Sequence, residues 1–149
     1  MHPEINPADV RLVRVERDEI LGFRHGALGG GDTPASALAR DMSPATRHWA
    51  AMCGDTMVGC VSVMRARGYA LRGMAVAAVH RDRGIGSRML DAVCVAVGGP
   101  MWCNARLDAA GFYAKRGWVA VGPVFDIEGR GAHQRMTWTP APAPTRGRR

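Results

Sequence analysis

The chain has no apolar run approaching the ~20 residues that cross a bilayer as a helix, so no membrane-spanning segment is expected. Its opening, MHPEINPADV, lacks a basic patch followed by an apolar block, and no secretory leader is expected there. The four cysteines, Cys53, Cys60, Cys94 and Cys103, form no C-x-x-C pair, and each sits in an apolar stretch. That spacing disfavours zinc, so the expectation is no metal and four reduced, buried thiols in a cytoplasmic protein. There is no internal repeat to suggest a solenoid or propeller.

What is present suits one globular domain. The 149 residues are 47% apolar and 22% charged, enough to bury a core without staples. The net charge is +7, which raises nucleic-acid binding. Three of those seven charges, Arg146, Arg148 and Arg149, lie in a Pro/Ala-alternating tail, which leaves four for the body. With no helix-turn-helix pattern, zinc finger or aromatic-basic strand, no nucleic-acid partner is expected. Residues 1–139 read as the domain, and 140–149 as a disordered tail.

Periodicity gives a strand at Asp9–Val15, then a helix capped by Asp18 and stopped by Gly29-Gly30-Gly31. A loop with one short helix at Ala35–Arg40 follows. His48–Cys53 and Met57–Met64 flank Gly54-Asp55-Thr56 as a hairpin, and Leu71–Val76 is a third strand. A helix through Val97 carries its apolar stripe on Ile85, Met89, Ala92, Val93 and Ala96. Met101–Ala105 is a strand, Asp108–Lys115 a short helix, and Trp118–Val121 a strand. Phe125–Ala132 is a polar loop, and His133–Thr139 the last strand. The fold class is α/β.

Arg81-x-x-Gly84-x-Gly86 lies between a strand and the first turn of a helix. The first N–H groups of a helix lack internal partners, and its dipole favours an anion there. Gly84 and Gly86 open the backbone to a phosphate, and Arg81 and Arg83 add charge. The dinucleotide fingerprint G-x-G-x-x-G fails because Met89 stands at the third glycine. The Walker pattern G-x-x-x-x-G-K-[ST] is absent.

Arg81–Gly86 resembles the [R/Q]-x-x-G-x-[G/A] motif of the GNAT (GCN5-related N-acetyltransferase) superfamily. Leu71–Val76 resembles that family's fourth strand. Trp102–Arg106 with Ala110-Gly111-Phe112-Tyr113-Ala114-Lys115-Arg116-Gly117-Trp118 is similar to its fifth strand and fourth helix. The pattern from Gly122 through Phe125, Gly129, Gly131 and His133 to Met136 resembles a bacterial subgroup. The resemblance covers about Ile20 to Trp138 and is specific as a combination from Leu71 to Trp118.

The resemblance implies a mixed, mostly antiparallel twisted sheet of six or seven strands with about four helices and splayed central strands. It implies acetyl-CoA as co-substrate and a primary amine, on a small molecule or peptide, as acceptor. It also leaves a homodimer open. Main-chain groups of Met74, Ala75 and Val76 would bind the pantetheine arm and polarise the thioester. Arg81, Arg83, Gly84, Ile85, Gly86 and Ser87 would hold the pyrophosphate. Asn104, a poor strand former, would bond the pantetheine or bridge splayed strands.

Tyr113 is the candidate general acid for the leaving thiolate, since a phenol near pKa ~10 can share a proton with a thiol near ~8.5. No Asp or Glu occurs between Asp55 and Asp82, so the fourth-strand glutamate base of some relatives is missing. His133, Glu128 and Asp126 remain as candidate bases, or a water chain, with a structural hydrogen bond as the competing role for His133. Arg24, His25 and Arg72 are candidates for acceptor recognition, and a basic lining would suit a carboxylate. A non-catalytic acyl-CoA sensor would keep the Arg81–Ser87 turn without needing Tyr113.

Overall fold

The computed structural model describes residues 5–27, 40 and 42–141. The expected helix stop at Gly29–Gly31, most of the short helix at Ala35–Arg40 and nearly all of the tail lie outside those residues. The strands are β1 (Arg11–Val15), β2 (Thr46–Cys53), β3 (Thr56–Arg65), β4 (Tyr69–Val76), β5 (Met101–Arg106), β6 (Val119–Ile127) and β7 (Gly131–Trp138). The α-helices among the described residues are α1 (Arg17–Ala27), α2 (Ile85–Val97) and α3 (Ala110–Ala114). Short 3-10 turns occupy Pro7–Asp9, Ala78–His80 and Leu107–Ala109.

The seven strands form one sheet in the order β1-β2-β3-β4-β5-β7-β6. Every pairing is antiparallel except β4 with β5. That parallel pair is joined only at Tyr69↔Met101 and Ala70↔Trp102. Beyond Ala70, β4 stays registered with β3, while β5 is paired along its whole length with β7. The expected splay of the central strands is therefore present, and it leaves one side of the β4 backbone from Leu71 to Val76 without a strand partner.

The two faces of the sheet are distinct. Leu71, Met101, Cys103, Ala105 and Met136 pack with Ile85, Met89, Leu90 and Val93 of α2, and Phe112 and Tyr113 of α3 join the same cluster. Ile20 and Phe23 of α1 pack on Ala50, Cys60 and Ala75 on the opposite face. Alternation along β5 then puts Trp102, Asn104 and Arg106 on the α1 side. Each fully buried aliphatic of α2 contributes roughly 1.5–3 kcal/mol.

Several local expectations need correction. Helix α1 begins at Arg17, with the Glu16 N–H donating to Glu19 Oε2 at 2.6 Å. That reach-back of a first-turn carboxylate to the flanking N–H is half of a capping box, so Asp18 lies inside the helix, not at its cap. On α2, Leu90 and Cys94 are buried, whereas Ala96 is exposed. A helix lying on a flat sheet buries a wider stripe than one row of side chains. The expected loop at Phe125–Ala132 is strand at both ends, and only residues 128–130 turn. A register shift between Val121 and Phe125 hides the alternation there. Pro123 is tolerated because β6 is the sheet edge.

Candidate active site

The site grows from a bulge in β4. Cys60 pairs with Ala75 and Ser62 with Arg72, so Gly73 and Met74 together face the single residue Val61. Gly73 takes φ +56, the left-handed conformation that glycine adopts without strain. Its carbonyl accepts the Arg24 Nε–H at 3.0 Å. The same guanidinium donates to Ser62 Oγ at 2.5 Å, and Ser62 Oγ lies 2.6 Å from His48 Nδ1. Arg24, Ser62 and His48 are all buried. Ser62 Oγ accepts from Arg24, and with His48 it donates or accepts according to the tautomer of that ring.

Arg24 thus clamps the bulge from the α1 side and is occupied by the fold, which withdraws it from the acceptor recognition expected of it. His25, next along α1, is exposed. Arg72 is half-buried on the α1 face, as the register with Ser62 requires.

At the end of β4, the chain passes through Ala78–His80 into the turn at 81–87. Gly84 sits at φ +80 before the first residue of α2, and no side chain caps that helix. The Arg88 N–H reaches the Gly84 carbonyl, so the N–H groups of Ile85, Gly86 and Ser87 have no partner inside the helix. Nothing lies within 4 Å of where a Gly84 Cβ would stand. Arg81 and Arg83 are exposed beside it, and Arg81 Nε also donates to the Val76 carbonyl at 3.2 Å, fastening the end of β4. Gly86 differs from expectation: its Cβ position faces the Phe112 ring at 3.5 Å and Val76, an ordinary packing contact. Its missing side chain lets α2 lie close to α3.

These features fit a diphosphate on a pantetheine arm: uncapped helical N–H groups, two cations and an unpaired strand edge leading from them. Among the described residues, no three His, Cys, Asp or Glu side chains converge as a metal would require.

Tyr113 lies on the α2/α3 side of the sheet, its ring edge-on to Phe112 and Trp118 at 5.2 and 5.3 Å. It packs in the same cluster as Cys103 of β5, and its hydroxyl interacts electrostatically with that thiol. Burial first, and then Cys103, push the phenol well above its usual range. Burial pushes the Cys103 thiol up to about 12, partly offset by the Tyr113 hydroxyl. The expected match between a phenol near ~10 and a free thiol near ~8.5 is therefore replaced by a different one. In this environment both phenol and thiol are held protonated by desolvation.

Cys94 is likewise pushed up to about 12, by burial and by Asp91. Acids that ionise more readily unfolded than folded stabilise the fold below their unfolded pKa and cease to do so as pH rises. Thermal melts are expected to hold steady below pH ~9 and to fall progressively toward pH 12. Replacing Cys94 and Cys103 by Ala should make that alkaline limb shallower, leaving the part that the raised Tyr113 phenol contributes.

On the α1 face, Asn104 Oδ1 accepts from Arg135 Nε at 3.3 Å, and the Arg135 guanidinium lies 4.4 Å over the Trp102 ring. Asn104 is exposed at the splay, two residues past the last β4–β5 pair. Because its oxygen is taken by Arg135, its amide N–H groups are free to donate. A cleft of about 430 Å³ opens there, lined by Asn104, Val121, Gly122, Pro123, Phe125 and Arg135. His133 is buried, with Nδ1 2.8 Å from the Gly131 carbonyl. A carbonyl only accepts, so Nδ1 carries the proton, and in the neutral ring the lone pair is on Nε2. Glu128 is exposed in the β6–β7 turn, and Asp126 is exposed on β6. Neither makes a contact that ties it to Tyr113 or Asn104.

The arrangement therefore separates Tyr113 and the helix entry, on one side, from Asn104, Arg72, Arg135 and His133 on the other, with the gap between β4 and β5 joining them. Arg135 belongs to no motif that would mark it in the sequence; only its register opposite Asn104 reveals it.

Residues 44–120 match the family described as Acetyltransferase (GNAT) domain. The uncharacterised N-acetyltransferase YitI of Bacillus subtilis is 43% identical over 72 residues, which are 46% of this chain and 48% of that protein. The match thus spans about half of that curated relative. The crystal structure of Escherichia coli ElaA superposes with a TM-score of 0.72 at 15% identity, covering 86% of this chain and 98% of that one. An aminoglycoside 6'-N-acetyltransferase complexed with coenzyme A gives 0.71 at 18% identity, covering 90% and 99%. With a splayed β4–β5 pair, a bulged β4 and an uncapped helix after it, matched over half of its length, the chain belongs to the GNAT acetyltransferase family.

Proposed function

We propose that the protein is an N-acetyltransferase that moves the acetyl group of acetyl-CoA to a primary amine by direct attack. The observation that carries this is the opening between β4 and β5 directly ahead of the uncapped α2. Acetyl-CoA bound there supplies the thioester and the thiolate leaving group. The N–H groups of residues 85–87 hold the diphosphate, with Arg81 and Arg83 beside it. The unpaired β4 backbone at Met74, Ala75 and Val76 aligns the pantetheine arm, and one of its N–H groups supports the oxyanion. Asn104 donates its amide from the opposite lip of the gap. Tyr113 donates its proton toward the departing sulfur.

The amine approaches from the α1 face, between Arg72 and Arg135. Nε2 of His133 is the lone pair on that face suited to taking the amine's proton, through water. Exposed Glu128 has no geometry that favours it over solvent.

The test is release of free thiol from acetyl-CoA against a panel of amines at pH 8. Turnover that depends on both substrates is expected. Tight acetyl-CoA binding with no turnover of any amine would instead identify an acyl-CoA sensor.

A further inference from the structure

The cleft beside Asn104 contains a cation held ready for an anion. Arg135 stacks on Trp102 at 4.4 Å and donates its Nε to Asn104. Trp102 is itself anchored, its Nε1 donating to the Ala66 carbonyl at 2.9 Å. Both contacts fix the plane of the guanidinium while using only one of its five N–H donors. Among the described residues, no carboxylate pairs with Arg135, so the remaining fork is available. Val121, Pro123 and Phe125 give the same cleft apolar walls. The charge of Arg135 at the cleft disfavours polycationic acceptors.

We propose that the acceptor is a small amino-carboxylate with an apolar side chain, and that Arg135 is the residue that selects it, through a bidentate guanidinium–carboxylate contact. This rests on the acetyltransferase reading above. Arg24 cannot fill that role because it is buried and bonded to Gly73 and Ser62. Arg135 needs no rearrangement, since its stacking removes the rotamer freedom that a mobile arginine would lose on binding.

The experiment compares leucine, leucinamide and spermidine as acceptors with saturating acetyl-CoA, for the wild type, Arg135→Gln and Arg135→Lys. Leucinamide has the less basic amine and an intrinsic advantage near neutral pH, so the decisive quantity is the change between enzymes for each acceptor. Arg135→Gln should lower kcat/KM for leucine by about 30-fold, mainly through KM, as expected for one lost charged hydrogen-bond pair. Leucinamide should fall by less than about threefold on the same scale, with the KM for acetyl-CoA little changed. Arg135→Lys, which keeps charge but not the fork, should recover part of the loss. Equal losses for leucine and leucinamide, or a wild-type preference for spermidine, would overturn the assignment while leaving the acetyltransferase reading intact. Absence of turnover with every amine would overturn both.

Discussion

Replacing Tyr113 by Phe is expected to lower kcat by about 10²–10³-fold, the usual worth of a positioned proton donor, with little change in the KM for acetyl-CoA. The phenol is pushed up by burial and stays protonated throughout any practical assay range. It therefore acts as a hydrogen-bond donor whose loss removes an interaction made with the departing sulfur. Phenylalanine keeps the ring contacts with Phe112 and Trp118, so thermal melts separate a catalytic defect from unfolding. The pH–rate profile should show no descending limb from Tyr113 below pH 10. Retention of full kcat in Tyr113→Phe would remove Tyr113 from the chemistry and leave it as a core aromatic against Phe112 and Trp118.

The largest expected effect on the fold comes from Gly73→Ala. A Cβ there would stand 2.5 Å from the Arg24 guanidinium carbon, at φ +56. A non-glycine residue in that conformation costs roughly 1–2 kcal/mol. Displacing Arg24 also weakens its bonds to the Gly73 carbonyl and Ser62, each a charge-assisted contact worth about 1.5–3 kcal/mol. A flexible side chain could swing aside cheaply at the surface, but Arg24 is only 8% exposed and cannot reach water without unpacking α1. The expected loss is about 3 kcal/mol, or about 10 °C in Tm for a domain of this length. Gly22→Ala is the control, because Gly22 lies in α1 with nothing near its Cβ position. It should gain about 0.5–1 kcal/mol from helix propensity. A neutral Gly73→Ala would mean that the bulge tolerates repacking and that Arg24 does not clamp it.

Much of the fold is legible in the sequence wherever one local signal dominates. The β2–β3 hairpin is announced by Gly54 between two apolar runs, and α2 by glycines at both ends, with Gly84 and Gly98 both left-handed. The strand-to-helix turn at 81–87 is legible for the same reason. The β6–β7 pair is not, because the shift around Gly122 and Pro123 breaks the alternation that marks a strand. The roles of the arginines are the least legible part of the site. Arg24, Arg72 and Arg135 are chemically alike, and only packing decides that the first holds a bulge and the last faces a cleft. Gly86 carries the same lesson, since its neighbour turns out to be the ring of Phe112. The phenol's position above its ordinary range also depends on burial and on Cys103, which no motif encodes.

Calorimetric titration of acetyl-CoA into the full chain measures directly whether the entry to α2 grips it. Wild-type protein should bind it, with affinity falling as salt rises. Arg81→Glu combined with Arg83→Glu should weaken binding by more than about 100-fold, the equivalent of about 3 kcal/mol for two reversed phosphate contacts. Circular dichroism should confirm that the doubly substituted protein stays folded, since Arg81 also holds the Val76 carbonyl. No heat of binding with wild-type protein, or unchanged affinity in the folded double variant, would contradict the account.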